Sequence, residues 1–156
     1  MSDHTFAKLY PDALPDECLT VVYEINHTLC EILQAKGFDA RPMNFLQVNG
    51  QFKFDRVLMN PPFENLQDID HVRHAFDKLK SGGRLVAIMS PGPFFRDTAK
   101  AQSFREWFAN LAGEEYDLPP GSFNKSGTNV ASKLVVLNVP ANDSGGKSRQ
   151  DSWVQT

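Results

Sequence analysis

Short apolar runs alternate along the chain with segments in which apolar residues recur every three or four positions. The short runs are rich in β-branched residues, which is typical of buried strands, whereas the three-and-four spacing is typical of amphipathic helices. The pattern therefore predicts the order strand, helix, strand, strand, helix, strand, helix, strand. The predicted strands cover residues 19–23, 38–43, 55–59, 84–90 and 133–139.

Three helices are predicted between these strands. The first has Thr28 as its N-cap and ends before Gly37, while the second is closed by the pair Gly82 and Gly83. The third follows the fourth strand. The apolar positions that define the three helices are Leu29, Ile32 and Leu33, then Ile69, Val72, Phe76 and Leu79, and finally Phe104, Trp107, Phe108 and Leu111.

Alternating strands and helices predict an α/β fold with a mostly parallel sheet. We expect one α/β domain over residues 19–140. Residues 1–18 carry two prolines and predict a loop with at most one turn of helix, whereas residues 141–156 are rich in turn formers and predict a disordered tail.

The composition narrows the class of protein. A chain of 156 residues, 41% of them apolar, suits one domain with a real core. The formal net charge of −3 argues against a protein that coats nucleic acid by bulk electrostatics. Cys18 and Cys30 do not form a disulfide framework, and we find neither a secretory leader nor an apolar stretch long enough to span a bilayer. We therefore expect a cytoplasmic protein that does not engage a membrane.

The residues with the clearest chemistry follow the third predicted strand, where Asn60, Pro61, Pro62 and Phe63 stand in series. The Asn side chain and the Pro61 carbonyl can each accept a hydrogen bond, and Phe63 offers an aromatic face. Such a group suits a planar heterocycle that carries an amine, and ligands of open α/β sheets bind beyond the carboxyl ends of strands. The alternative interpretation is a tight exit from the strand without a chemical role. We expect no metal site.

The sequence of residues 55–63, Asp-Arg-Val-Leu-Met-Asn-Pro-Pro-Phe, resembles the catalytic motif of class I S-adenosylmethionine-dependent amino-methyltransferases, above all the adenine-specific DNA methyltransferases. Residues 23–26, 70–72, 79–85 and 119–130 continue the resemblance in order. The resemblance implies a Rossmann-like α/β sandwich, with a mostly parallel sheet and an antiparallel last strand.

The resemblance also implies a site for S-adenosylmethionine. In that family an acidic residue at the end of the second strand binds the ribose hydroxyls of the cofactor, and Glu24 with the adjacent Ile25 matches it. Asn44 stands where the family usually has an Asp that contacts the adenine amine, and Phe45 would either pack on the adenine ring or belong to the core. Asn60 lies beside the cofactor as well.

The same resemblance assigns catalytic roles to Asn60, Pro61, Pro62 and Phe63. The first two would accept hydrogen bonds from the exocyclic amine of a target adenine, and Phe63 would stack on the base after it is flipped from DNA. Phe123 matches a second aromatic wall of the substrate site, although it could equally be a buried loop anchor. The methyl group would move by direct displacement, without a covalent enzyme intermediate.

One part of the family pattern is missing. The first glycine of the chain is Gly37, so no glycine-rich turn stands upstream of Glu24 and the family's first strand has no counterpart there. We expect a gap or an exposed edge in the sheet, which a partner chain or a second copy would complete. Two alternatives to DNA methylation stay open. The chain could be a catalytically silent, truncated module or partner subunit, or it could methylate another amine on an RNA base or a glutamine.

Overall fold

A computed structural model describes residues 19–119, 131–142 and 152–155. Within these ranges the chain forms one seven-stranded sheet with helices packed against it. The strands are β1 (Leu19–Tyr23), β2 (Asp39–Arg41), β3 (Phe54–Met59), β4 (Leu79–Met89), β5 (Glu114–Asp117), β6 (Lys133–Asn138) and β7 (Ser152–Gln155). The helices are α1 (His27–Ala35), α2 (Gln67–Asp77), α3 (Gly92–Phe95) and α4 (Ala99–Asn110), with 3₁₀ turns at Phe45–Gln47 and Glu64–Leu66.

The strand order in the sheet is β2-β1-β7-β3-β4-β6-β5. The first five of these strands run parallel, whereas β6 is antiparallel to β4 and β5 is antiparallel to β6. The predicted α/β fold is confirmed. The edge strand β5 was not predicted, because its sequence Glu-Glu-Tyr-Asp is exposed throughout and has no apolar alternation.

The centre of the sheet corrects two expectations. Ser152–Gln155 pairs in parallel with β1 on one side and with β3 on the other, so the described sheet is continuous where a gap or an exposed edge was expected. The expected disordered tail is also wrong for these four residues. The sequence signal was weak because a four-residue strand is too short to show a period. Residues 1–18 and 143–151 lie outside the described residues.

Two apolar clusters hold the helices on the sheet. Because parallel crossovers are right-handed, α1, which leads from β1 to β2, and α2, which leads from β3 to β4 in the opposite direction, lie on opposite faces. Cys30 of α1 packs with Val22 and Ala40 in the smaller cluster. The larger cluster contains buried residues of β3, β4, β6, α2 and α4, among them Phe104 and Leu85.

No helix in the described ranges is long and apolar enough to cross a membrane.

Two helix boundaries differ from the prediction. Asn26, not Thr28, caps α1, because its Oδ1 accepts a hydrogen bond of 3.1 Å from the amide of Leu29. Leu29 and Ile32 were expected on the buried face but are 49% and 47% exposed, and Cys30 is buried in their place.

The glycine pair does not close α2. The helix ends at Asp77, and Gly82 and Gly83 lie inside the long strand β4, next to a shift in the β3–β4 register. Gly82 has φ of +74°, a conformation that glycine adopts without strain, and a Cβ at Gly83 would lie 2.7 Å from the Lys80 carbonyl oxygen. The pair therefore serves an irregular strand rather than a helix end.

Candidate active site

The site lies at the carboxyl edge of the parallel strands, where the direction of the connections reverses. From β1 the chain moves outward to β2, and from β3 it moves the opposite way to β4, so the reversal falls between β1 and β3. Ligands of open α/β sheets bind in the crevice outside such a switch point. Strand β7 fills the sheet at this position.

The register brings Glu24 and Asn60 to the same level on either side of β7. Gln155 pairs with Val22 of β1 and with Leu58 of β3, and the two site residues each stand two positions further along their strands. Neighbouring strands lie about 4.8 Å apart, so the backbones of Glu24 and Asn60 are separated by roughly 10 Å along the edge of the sheet. The structure therefore brings together these two residues, which are distant in sequence.

The segment after β3 presents alternating exposed and buried positions. Asn60 and Pro62 are exposed, Pro61 is buried, and Phe63 is half-buried. Within the described part of the chain, the Asn60 carboxamide takes no hydrogen bond, so its oxygen can serve a ligand. The buried proline ring holds the segment against the protein, and the fixed φ of the two prolines limits its movement.

The next residues have an unusual backbone. Asn65 and Leu66 have φ values of +53° and +57°, in the left-handed region. Two such residues in succession are costly, and the cost is greater for a branched residue such as Leu66. Leu66 is buried, and its Cδ2 lies 3.1 Å from the place where a Cβ on Gly92 would stand. The loop after β3 and the loop after β4 are thus in close contact.

At the end of β1, Glu24 is half-buried and turns back on its own chain. Its Oε1 accepts a hydrogen bond of 2.7 Å from the amide of Asn26. The second carboxylate oxygen has no hydrogen-bond partner among residues 19–119, 131–142 and 152–155. The adjacent Ile25 is an apolar side chain that is 68% exposed beside this carboxylate. A half-buried carboxylate next to an exposed apolar surface is suited to a ligand with both hydroxyls and a hydrophobic ring.

The two candidates after β2 lie differently. Asn44 Oδ1 accepts a hydrogen bond of 2.9 Å from the amide of Leu46, so it caps the 3₁₀ turn. Phe45 is only 2% exposed, and its ring packs against Tyr23 and His74 with centroid distances of 5.5 and 5.3 Å. Of the two interpretations given for Phe45, the structure supports the core residue. Contact of Asn44 with an adenine stays a prediction.

Two residues that sequence reasoning did not single out also lie at this edge. Asp68, near the start of α2, is fully buried, and its Oδ2 accepts hydrogen bonds from the amide (3.0 Å) and the hydroxyl (2.7 Å) of Ser90. Burial raises the pKa of the Asp68 carboxyl, and the hydrogen bonds from Ser90 oppose this rise. No periodicity could have identified Asp68, because its burial depends on the loop after β4.

Several other charged side chains are engaged within the fold. Lys100 forms an ion pair of 2.6 Å with Asp70, and the Arg105 guanidinium donates to the Pro93 and Arg96 carbonyl oxygens, both at 3.0 Å. Burial lowers the pKa of His71. Among the residues with described coordinates, no group of three or more His, Cys, Asp and Glu converges to hold a metal ion. Phe123 lies outside the described residues.

Comparison with known proteins shows the fold. No family model matches the chain, and no curated protein sequence does. Among solved structures, the chain is similar to a type I restriction-modification methyltransferase subunit from Streptococcus thermophilus, with a TM-score of 0.58 and 13% identity over 99% of this chain and 45% of that one. The type I restriction enzyme EcoKI M protein matches with a TM-score of 0.62 and 16% identity over 86% and 35%. An rRNA methylase from S. thermophilus matches with a TM-score of 0.53 and 12% identity over 90% and 97%.

The chain therefore has the Rossmann-like α/β fold that these methyltransferases share. It spans less than half the length of the two type I proteins and nearly the whole length of the rRNA methylase. Its sheet has the candidate residues Glu24 and Asn60 on either side of the switch point, where this kind of fold binds its ligands.

Proposed function

We propose that this chain is a methyltransferase that uses S-adenosylmethionine to methylate the exocyclic amine of adenine in DNA. The observation that carries the proposal is the position of residues 60–63, an Asn-Pro-Pro-Phe segment, directly after β3 at the switch point of the sheet. The exposed carboxamide of Asn60 and the fixed backbone of the prolines support a role in binding an amine.

Asn60 Oδ1 and the Pro61 carbonyl oxygen would each accept a hydrogen bond from one N–H of the amine. With both N–H groups held, the nitrogen lone pair points away from the two acceptors, and the two oxygens stabilise the positive charge that develops on the nitrogen as it attacks the methyl group. Phe63 would stack on the ring of the flipped base and hold its plane. The proton released from the amine passes to water.

Glu24 and Ile25 fit the nucleoside part of the cofactor. The Glu24 carboxylate oxygen that takes no hydrogen bond within the described ranges can accept from ribose hydroxyls, and charge-assisted hydrogen bonds of this kind are strong. The exposed Ile25 side chain would cover an adenine face. S-adenosylmethionine supplies, when bound, a methyl group on a positively charged sulfur.

DNA is the proposed substrate because the motif resembles adenine-specific DNA methyltransferases and because the fold is similar to type I restriction-modification subunits. We propose that a partner chain or a second copy takes part in reading the target sequence, because the similar type I proteins are subunits of restriction-modification systems. RNA is also tested as a substrate, because the chain matches an rRNA methylase along nearly the whole length of that methylase.

The decisive experiment offers radiolabelled S-adenosylmethionine together with unmethylated DNA, RNA or protein, and measures cofactor binding separately by calorimetry. Asn60→Ala is expected to lower transfer by about 100-fold or more, because a hydrogen bond made mainly in the transition state is lost. Its cofactor affinity should stay within about threefold of the wild type, since a lost neutral contact at the rim of that site is worth little.

Asn110→Ala is the matched control. Asn110 is an exposed asparagine at the end of α4, and this variant should transfer methyl groups at the wild-type rate. If the radiolabel appears in RNA or protein but not in DNA, the proposed substrate is wrong. The absence of cofactor binding at millimolar concentration would instead support a catalytically silent module and contradict the proposal.

A further inference from the structure

Outside the proposed catalytic groups, the buried Asp68 is hydrogen-bonded to the half-buried Ser90. Asp68 is 0% exposed, and its carboxylate accepts three hydrogen bonds from neighbouring residues. Its Oδ2 accepts from the amide and the hydroxyl of Ser90, and its Oδ1 accepts from the amide of Ile69 at 3.1 Å. A buried carboxylate is costly unless it is hydrogen-bonded in this way, so this residue needs an explanation.

The pair connects two loops at the carboxyl edge of the sheet. Ser90 directly follows β4, and β4 is the neighbour of β3, with Ala87 opposite Met59. Asp68 lies in the first turn of α2, which begins where the loop after β3 ends. Residues 60–67 are therefore held by the sheet at one end, and at the other by the packing of α2 and by the contact between Asp68 and Ser90.

The loop between these two anchors needs such support. Asn65 and Leu66 both have left-handed backbone conformations, and strained residues persist only where the surrounding structure holds them. Leu66 is buried, and its Cδ2 lies 3.1 Å from the place where a Cβ would stand on Gly92, the first residue of α3. If the contact between Asp68 and Ser90 were lost, one restraint on the strained residues would be removed, and Asn60–Phe63 would be held less firmly from the side of α2.

We infer that Asp68, acting through Ser90, is a positioning residue that fixes the loop carrying Asn60 and Phe63 in the shape that receives the methyl acceptor. The inference on catalysis rests on the proposed function, whereas the inference on loop position does not. Asp68 touches neither acceptor nor cofactor in this assignment. It acts by holding the two loops together.

The test uses the full chain and three substitutions. Ser90→Ala removes the hydroxyl contact, Ser90→Thr keeps it, and Asp68→Asn keeps the shape of the side chain. Ser103→Ala is the matched control, because the Ser103 hydroxyl also bonds to α2, through Arg73 at 3.1 Å, but far along the helix from the loop. Each protein is examined by amide hydrogen exchange without any ligand, and by methyl-transfer kinetics.

Ser90→Ala and Asp68→Asn are expected to speed exchange in residues 63–67 by about five- to tenfold, the effect of one lost hydrogen bond, and to leave exchange in α4 unchanged. For Ser90→Ala, kcat should fall by about tenfold while KM for the cofactor stays within about twofold. Ser90→Thr should restore both values. Ser103→Ala should match the wild type in residues 63–67.

Unchanged exchange in residues 63–67 in both variants would overturn the inference, and so would equal acceleration throughout the chain, which indicates a general stabilising role. Faster exchange confined to residues 63–67 together with an unchanged kcat would also overturn the inference. If the wild type methylates no acceptor, the proposed function fails, but the exchange experiment still decides whether Asp68 positions the loop.

Discussion

At the scale of single residues, the candidate site contains side chains that are exposed and side chains that are engaged within the fold. Asn60 and Ile25 are exposed at the carboxyl edge, whereas Asn44 caps a turn and Phe45 is buried against its neighbours. Sequence alone placed all four at the site. It could not distinguish them, because exposure depends on how distant elements pack.

We expect Glu24→Gln to weaken S-adenosylmethionine binding by about 10- to 100-fold, since charge-assisted hydrogen bonds contribute roughly 1.5 to 3 kcal/mol. Calorimetry on the wild type and the variant measures this directly. Glu31→Gln is the control, because Glu31 is an exposed residue of α1 outside the site. An unchanged affinity for Glu24→Gln, or an equal loss in the control, would remove Glu24 from the site.

The buried Asp68 carboxyl leads us to expect that the stability of the protein depends on pH. Burial raises its pKa above the ordinary value of 3.8, so the folded state keeps its proton at pH values where the unfolded state has lost it. The contribution to stability is full below about pH 4 and is lost as the pH rises through the raised pKa of the folded state. Asp68→Asn does not titrate, so the difference in free energy of unfolding between wild type and variant should fall over this window. Urea denaturation from pH 4 to pH 8 measures it, and a difference that rises with pH would show the opposite shift.

At the scale of elements, strand β3 and the motif that follows it were predictable, because a short apolar run ends abruptly at two prolines. The start of β4 was not. The Gly82 and Gly83 pair looked like a helix end, but Leu79 pairs with Phe54 and draws the glycines into the strand. That pairing joins residues 25 positions apart, so local propensity carries no information about it.

The contact between the loops after β3 and β4 can be tested by Gly92→Ala. An added Cβ would lie 3.1 Å from Leu66 Cδ2 and 3.2 Å from Arg96 Nε, so we expect a loss of about 1 kcal/mol in stability and a lower rate of methyl transfer. The double variant with Leu66→Ala makes a thermodynamic cycle. In the Leu66→Ala background, Gly92→Ala should lower the free energy of unfolding by less than it does in the wild type. If the two changes in free energy simply add, the two residues do not interact.

At the scale of the whole molecule, β7 unites the two halves of the sheet. It is paired on both sides, so Val154→Pro should remove one ladder hydrogen bond and lower the free energy of unfolding by about 3 kcal/mol. Val154→Ile keeps both the amide and the β-branched side chain and should leave stability within about 1 kcal/mol. Chemical denaturation measures both variants. A proline variant as stable as the wild type would mean that β7 does not support the sheet.

The position of β7 has a consequence for how the protein is made. Residues 152–155 are synthesised after β1 to β6, and until β7 is in place nothing in the described sheet joins β1 and β2 to β3, β4, β6 and β5. The inner edges of β1 and β3 then expose unpaired backbone groups, which are templates for aggregation. The distance between Glu24 and Asn60 is therefore set only once residues 152–155 have paired with both β1 and β3.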